Sequence, residues 1–197
     1  MKIILASGSP RRKEILSGLG RSFTVLSADA DESCSIPDPA EYAMELAKRK
    51  ALAALRELRR RSDLENDDTD TLIITADTVV ATDREILGKP RDEADAYRML
   101  SSISGKKHRV ITGVALTLGG VTLTDYCSTT VNVAPIPDAE IKKYIASGDP
   151  FDKAGAYGIQ GEFSKWIEGI EGCYFNVVGL PTHTLNKLFF RLTGEYI

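Results

Sequence analysis

Four groups of residues have types and spacings that could do chemistry on a phosphate ester. Ser7, Ser9, Arg11 and Arg12 stand in a short polar run, SGSPRR, after the apolar stretch Ile3 to Ala6. Free backbone N–H groups at a helix start attract anions, and two hydroxyls with two arginines there would make a phosphate cradle. The same SxSxRR pattern also fits a capped helix with solvated arginines. No GxxxxGK pattern occurs, so this is not a Walker A loop. Lys50 forms the second group. It lies four residues after Leu46 and four before Ala54, on the apolar stripe of a helix. An ammonium there must snorkel to water or point into a cleft that holds an anion.

Asp77 is the third feature. It directly follows Leu72 to Ala76, a run apolar except for Thr75, and so sits where a buried strand is expected to end. Ligands gather at the carboxyl ends of strands in open α/β sheets. A carboxylate there can bind a divalent cation or take a proton from water. A lone Asp at that place also serves as a turn cap. Lys89, between Gly88 and Pro90, adds a cation on a rigid turn, and Asp29, Asp31 and Glu32 add acids after the second apolar run. The fourth group is DKAGAYGIQG at 152–161, with Asp152, Lys153 and Gln160 among three glycines. Glycines let a backbone approach a ligand closely, and an amide donates and accepts at once, as a base edge requires. An irregular turn is the plainer reading of that segment. Together, cations for a polyphosphate, carboxylates for a metal and an amide for a base point to metal-dependent phosphate chemistry on a nucleotide.

The elements that must position these groups can be read from periodicity. Ile3 to Ala6 predicts a buried strand, Ser9 an N-cap and Pro10 the first helical residue. Phe23 to Leu26 predicts a second strand, and Pro39 to Arg61 a long helix with Ala43, Leu46, Ala47, Ala54 and Leu58 on its apolar face. Ser62 to Thr71 is polar, Asp-rich and aperiodic, which predicts an exposed loop. After Leu72 to Ala76, Val79 to Ala81 and Ile86-Leu87 suggest a small hairpin. Asp92 caps a helix ended by Gly105. Two strands, Val110 to Leu118 and Val121 to Val133, meet at Gly119-Gly120. Asp138 to Ser147 predicts a short helix and Pro181 to Thr193 the last one. This order implies an α/β fold with a mixed sheet.

Composition narrows the classes. With 197 residues, 43% hydrophobic content and 27% charged content, the chain can build a core and is not a disordered segment. Twenty-five Lys+Arg against 28 Asp+Glu leave a net charge of -3, which argues against a general nucleic-acid binder. Three scattered cysteines and two histidines offer neither a disulfide framework nor zinc-ligand spacing. Ile3 to Ala6 is too short for a signal segment, and no stretch approaches a membrane span. The expectation is a cytoplasmic protein with no membrane partner and no stable nucleic-acid partner.

The segments LASGSPRR (5–12), ITADTVV (74–80), ILGKPRDEADAYRML (86–100), SGKKHRVITGVAL (104–116), DKAGAYGIQG (152–161) and VVGLP (177–181) resemble, in order, the Maf family of nucleoside-triphosphate pyrophosphatases. The resemblance spans nearly the whole chain and implies one domain, residues 1–197. Its fold would be a curved mixed sheet with flanking helices, in two lobes around a cleft, as in inosine-triphosphate pyrophosphatases. It implies hydrolysis of a nucleoside triphosphate to monophosphate and pyrophosphate with Mg²⁺ or Mn²⁺, a house-cleaning role in nucleotide metabolism. It makes Asp77 the proton acceptor, with Arg11, Thr78 and Gln160 at positions linked to base selection. Ser7, Arg12, Glu32, Lys50 and Lys89 fall on the polar lining. Asp77 with Glu32 would hold the cation, and Ser9 and Lys153 would assist in holding substrate. Arg11 after SxSP, and AGAYGIQG, resemble the branch active on dTTP and UTP rather than the one active on 7-methyl-GTP. Family members are often homodimers, although no patch in this sequence marks an interface. Two other classes fit parts of the pattern: a nucleotide- or nucleic-acid-binding regulator of cell division without hydrolysis, for which Arg59 to Arg61 is the best support, and a phosphatase removing single phosphates.

Overall fold

The computed structural model describes residues 1–61 and 70–197. Its core element is a mixed sheet of seven strands among these residues, ordered β2-β1-β3-β5-β6-β7, with β4 paired to β3. β1 (Lys2–Leu5) pairs in parallel with β2 (Thr24–Val25) and with β3 (Thr71–Ala81). β4 (Ile86–Leu87) turns back antiparallel on the end of β3. β5 (Lys107–Leu118) and β6 (Val121–Val133) neighbour each other, and β7 (Ile167–Glu171) closes the far edge antiparallel to β6. The helices are α1 (Pro10–Gly18), α2 (Pro39–Arg61), α3 (Glu93–Ile103), α4 (Asp138–Ala146), α5 (Tyr174–Val178) and α6 (Thr182–Thr193). The expected α/β fold with a mixed sheet and flanking helices is the observed one.

Local signals set most boundaries. Ser9 caps α1 with its hydroxyl oxygen accepting from the Arg12 N–H, and Pro10 takes the first helical position, where its missing N–H costs nothing. Asp92 caps α3 by accepting from Asp95 N–H at 2.7 Å. β5 begins three residues earlier than expected, at Lys107, and two larger departures stand out. Asp77 does not end a strand: β3 runs on to Ala81, with Asp77 and Thr78 inside it. Val79 to Ala81 are buried, and Val80 and Ala81 pair with β4, so the ladder has reason to continue past the charged residue. β7 is also unforeseen, because IEGIE has no apolar run and its side chains are largely exposed. Of the loop expected at Ser62 to Thr71, residues 62–69 lie outside the described residues, and Thr71 already opens β3.

The chain divides into two compact units. The first comprises Met1–Asp77, Thr112–Cys127 and Gly179–Ile197. Its core packs Leu5, Leu16, Leu72, Ile74, Leu188 and Phe189. Within it α2 lies unusually close to the sheet. A Cβ on Gly113 would stand 2.4 Å from the Ala43 carbonyl carbon, so only glycine permits this approach. Ala47, Ala51 and Ala115 continue the contact, and the buried Thr75 hydroxyl donates to the Ala47 carbonyl at 2.8 Å. The second unit comprises Thr78–Ile111 and Ser128–Val178. Its core gathers Leu100, Ile103, Val131, Tyr144, Tyr157 and Phe163. Among the described residues no helix is long and apolar enough to cross a membrane.

Candidate active site

In the first unit the close seat of α2 carries Lys50 to Asp77. The Lys50 Nζ lies 2.5 Å from Asp77 Oδ1 and 2.8 Å from Glu32 Oε1. The ammonium expected to point at an anion is thus shared by two carboxylates. The Asp77 side chain is 11% exposed, whereas the Glu32 side chain is 61% exposed. A buried carboxylate needs such a partner, because an unpaired charge in the interior is costly. The segment bearing Glu32 is tied to α2 by Arg49, which donates to the Ser33 carbonyl at 2.5 Å and to Glu45 Oε1 at 2.8 Å. Asp31 tightens the same turn by accepting from the Ser33 N–H and hydroxyl.

The turn between β1 and α1 brings in the second set of charges. Arg12 donates from Nε to the Gly179 carbonyl at 2.8 Å and from a terminal nitrogen to Ser7 Oγ at 3.4 Å. Ser7 Oγ also accepts from the Ser9 N–H. Burial lowers the Arg12 pKa from its ordinary value; nearby Asp77 and Glu32 oppose that, and Arg11 adds to it. Asp77, Arg11 and Glu32 therefore each act electrostatically on Arg12. Tyr42, one helical line from Lys50 through Leu46, belongs to the same environment: burial raises its pKa, and Asp77, Cys34 and Glu32 raise it further. Sequence reading passed over Tyr42 and Arg49, although their i, i+4 spacing from Leu46 and Glu45 on α2 was a usable signal.

The second unit holds the remaining expected residues. Thr78 is half-buried on β3, next in the chain to Asp77. Lys89 is exposed after β4, and the carbonyl of its neighbour Gly88 accepts from the Gly155 N–H at 2.9 Å. That bond joins the Lys89 turn to the glycine-rich segment. Gly155 has φ +69°, and a Cβ there would meet Val80 at 2.7 Å, so glycine is required twice over. Lys153, expected at the substrate, is engaged within its own loop. Its ammonium donates to the Asp149 carbonyl at 2.6 Å, Asp149 Oδ1 at 2.9 Å and Asp152 Oδ1 at 2.7 Å, which uses all three of its donors. Gln160 is exposed. Arg60, from the basic run at the end of α2, forms two bonds to Glu57, as a solvated helix face does.

A divalent cation fits the first-unit cluster in kind. Asp77 and Glu32 already gather two hard oxygen donors around one positive charge. Mg²⁺ is commonly bound by one or two carboxylates together with substrate phosphates. Among the described residues no group of three or more His, Cys, Asp or Glu forms a complete cage.

A mixed seven-stranded sheet flanked by helices defines the class of fold. The solved structure of the Staphylococcus aureus Ham1 protein shares it, with a TM-score of 0.50 at 13% identity over 85% of this chain and 80% of that one. A model of the Maf-like protein family matches residues 2–192, and the chain belongs to that family. It is 46% identical over 196 residues to the dTTP/UTP pyrophosphatase of Clostridium beijerinckii, covering 98% of each chain. It is 46% identical to the dTTP/UTP pyrophosphatase of Koribacter versatilis, covering 97% of this chain and 94% of the other. The protein of that name from Caldicellulosiruptor saccharolyticus is 44% identical, with the same coverage.

Proposed function

We propose that the protein hydrolyses nucleoside triphosphates, dTTP and UTP foremost, to the monophosphate and pyrophosphate, with Mg²⁺ or Mn²⁺ as cofactor. The observation that carries this reading is the buried Asp77 carboxylate, paired with Lys50 beside Glu32 and within the field of Arg12. The full-length likeness to proteins named dTTP/UTP pyrophosphatase supports the same chemistry.

Asp77 Oδ1 is taken by Lys50, so Oδ2 is the oxygen that orients a water and accepts its proton. The water oxygen attacks the α-phosphorus, the bond to the bridging oxygen breaks, and pyrophosphate leaves with its charge. Arg12 and Lys89 bind the phosphates, and the third N–H of Lys50 reaches one of their oxygens. Ser7 and Ser9 shape the turn that presents Arg11 and Arg12. A divalent cation held by Asp77 and Glu32 would supply charge neutralisation to the phosphate oxygens. Most of the rate gain on such esters comes from positioning and charge stabilisation, which fixed ion pairs provide. Gln160, Thr78 and Arg11 select the pyrimidine, and Lys153 shapes the loop that bears Gln160. The same reading has the protein acting in the cytoplasm as a homodimer, without a nucleic-acid or membrane partner.

Product analysis tests this. Purified protein with dTTP or UTP and Mg²⁺ should release pyrophosphate and monophosphate, and excess EDTA should stop it. Orthophosphate with diphosphate as the products would replace this reading by a phosphatase, and binding without turnover would replace it by a regulator.

A further inference from the structure

The second unit contains a buried pair with no place in the chemistry above. His108 on β5 is 3% exposed, and its Nε2 lies 2.7 Å from the Tyr157 hydroxyl. The two rings meet edge to face at 5.3 Å. Tyr157 is itself 5% exposed and packs against Phe163 with the rings tilted and their centroids 4.7 Å apart, and Phe163 in turn contacts Tyr144. A histidine has two ring nitrogens to satisfy, yet Nδ1 finds no hydrogen-bond partner among the described residues. An imidazole with one unpaired buried nitrogen is a costly way to fill space, since an apolar side chain would pack there without that penalty. The bond to Tyr157 is what the imidazole supplies and an apolar residue would not.

Tyr157 occupies the middle of the glycine-rich segment. Gln160 lies three positions further on, a span of at most about 10 Å of chain. The segment is held on either side as well: Gly155 N–H donates to Gly88 O, and the Tyr144 hydroxyl accepts from the Gly158 N–H. Two successive residues, Gly155 and Ala156, have positive φ, a conformation that persists only where surrounding contacts impose it. The His108–Tyr157 bond ties this loop to β5, a long strand inside the sheet, through a buried side-chain hydrogen bond. We propose that His108 is a positioning residue for base selection. Through Tyr157 it sets the place of the loop that presents Gln160, and so tunes affinity for the pyrimidine without touching substrate. The inference rests on the assignment of Gln160 above.

Tyr157→Phe keeps the ring and its packing and removes only the hydroxyl. Steady-state hydrolysis of UTP, CTP and methyl triphosphate, which lacks a base, should then separate the roles. The expected result is a KM for UTP raised about fivefold to tenfold, the scale of one lost hydrogen bond, with kcat within about twofold. The UTP-over-CTP preference should narrow, and methyl triphosphate kinetics should not change. His108→Leu should reproduce this, and His108→Gln, whose amide nitrogen reaches the Nε2 position, should restore it. Unchanged KM and preference in Tyr157→Phe overturn the proposal, as does an equal loss on all three substrates. Gln160→Ala run in parallel keeps the two readings apart. If it leaves preference unchanged while Tyr157→Phe alters it, the Gln160 assignment fails and the loop latch stands. If only Gln160→Ala alters preference, the latch alone fails.

Discussion

The phosphate-side cluster and the glycine-rich loop are built in opposite ways. The first unit assembles charges: Lys50 between Asp77 and Glu32, and Arg12 on the Gly179 carbonyl, all on or beside regular elements. The second unit anchors the middle of its loop with neutral groups, the phenols of Tyr144 and Tyr157 and the imidazole of His108, in a buried aromatic core, while Lys153 with Asp149 and Asp152 braces only its start. Each region depends on one glycine at a close approach, Gly113 under α2 and Gly155 against Val80. The difference follows from the task. Phosphoryl chemistry needs fixed charge, which rigid elements and ion pairs hold in place. Base selection needs a shaped surface, which a loop provides when a neutral core secures it.

Substitution of those two glycines is the strongest way to break this comparison. Gly113→Ala forces its Cβ into the Ala43 backbone at 2.4 Å, so α2 must move and take Lys50 from Asp77. We expect kcat to fall by about 100-fold or more while circular dichroism stays near native, since misplacement of about 1 Å carries that cost. Gly155→Ala meets a side chain instead, at a positive φ. It should cost about 2–3 kcal/mol of stability, read by urea unfolding, and raise KM more than it lowers kcat. Equal kinetic signatures for the two variants would erase the distinction between the regions.

A subtler contrast lies in acid. Burial lowers the His108 pKa from 6.5 to about 4. The unfolded chain therefore takes a proton below about pH 6.5 that the folded chain refuses until near pH 4. Stability should fall across that window as pH drops, by up to about 3 kcal/mol from this one group. Urea unfolding at pH 7 and pH 4.5 should show a smaller acid loss in His108→Gln than in the parent chain. An identical loss in both would show that the imidazole is not held neutral.

Much of this was legible in the sequence. Pro39 to Arg61 reads as a helix from its Ala and Leu spacing, and the helix has those bounds. Ser9-Pro10 marks the start of α1 because capping is a local affair. The course of β3 past Asp77 was not legible, since a charged residue interrupts the apolar run and only pairing with β4 and burial in the sheet override it. The partners of Lys50 and Arg12 were hidden for a related reason: Asp77 lies 27 residues from Lys50, and Gly179 lies 167 from Arg12. Placement on an apolar stripe told that Lys50 must find something polar, and not that it would find carboxylates. The His108–Tyr157 pair, 49 residues apart, left no local mark at all.

The central claim is that Asp77 turns over the triphosphate rather than merely holding the site together. Asp77→Asn keeps size and shape, so UTP binding measured by calorimetry and pyrophosphate release measured on the same sample separate the two. Binding within about tenfold of the parent, with release reduced at least about 1,000-fold, is the predicted result. Pyrophosphate release close to that of the parent chain would contradict it.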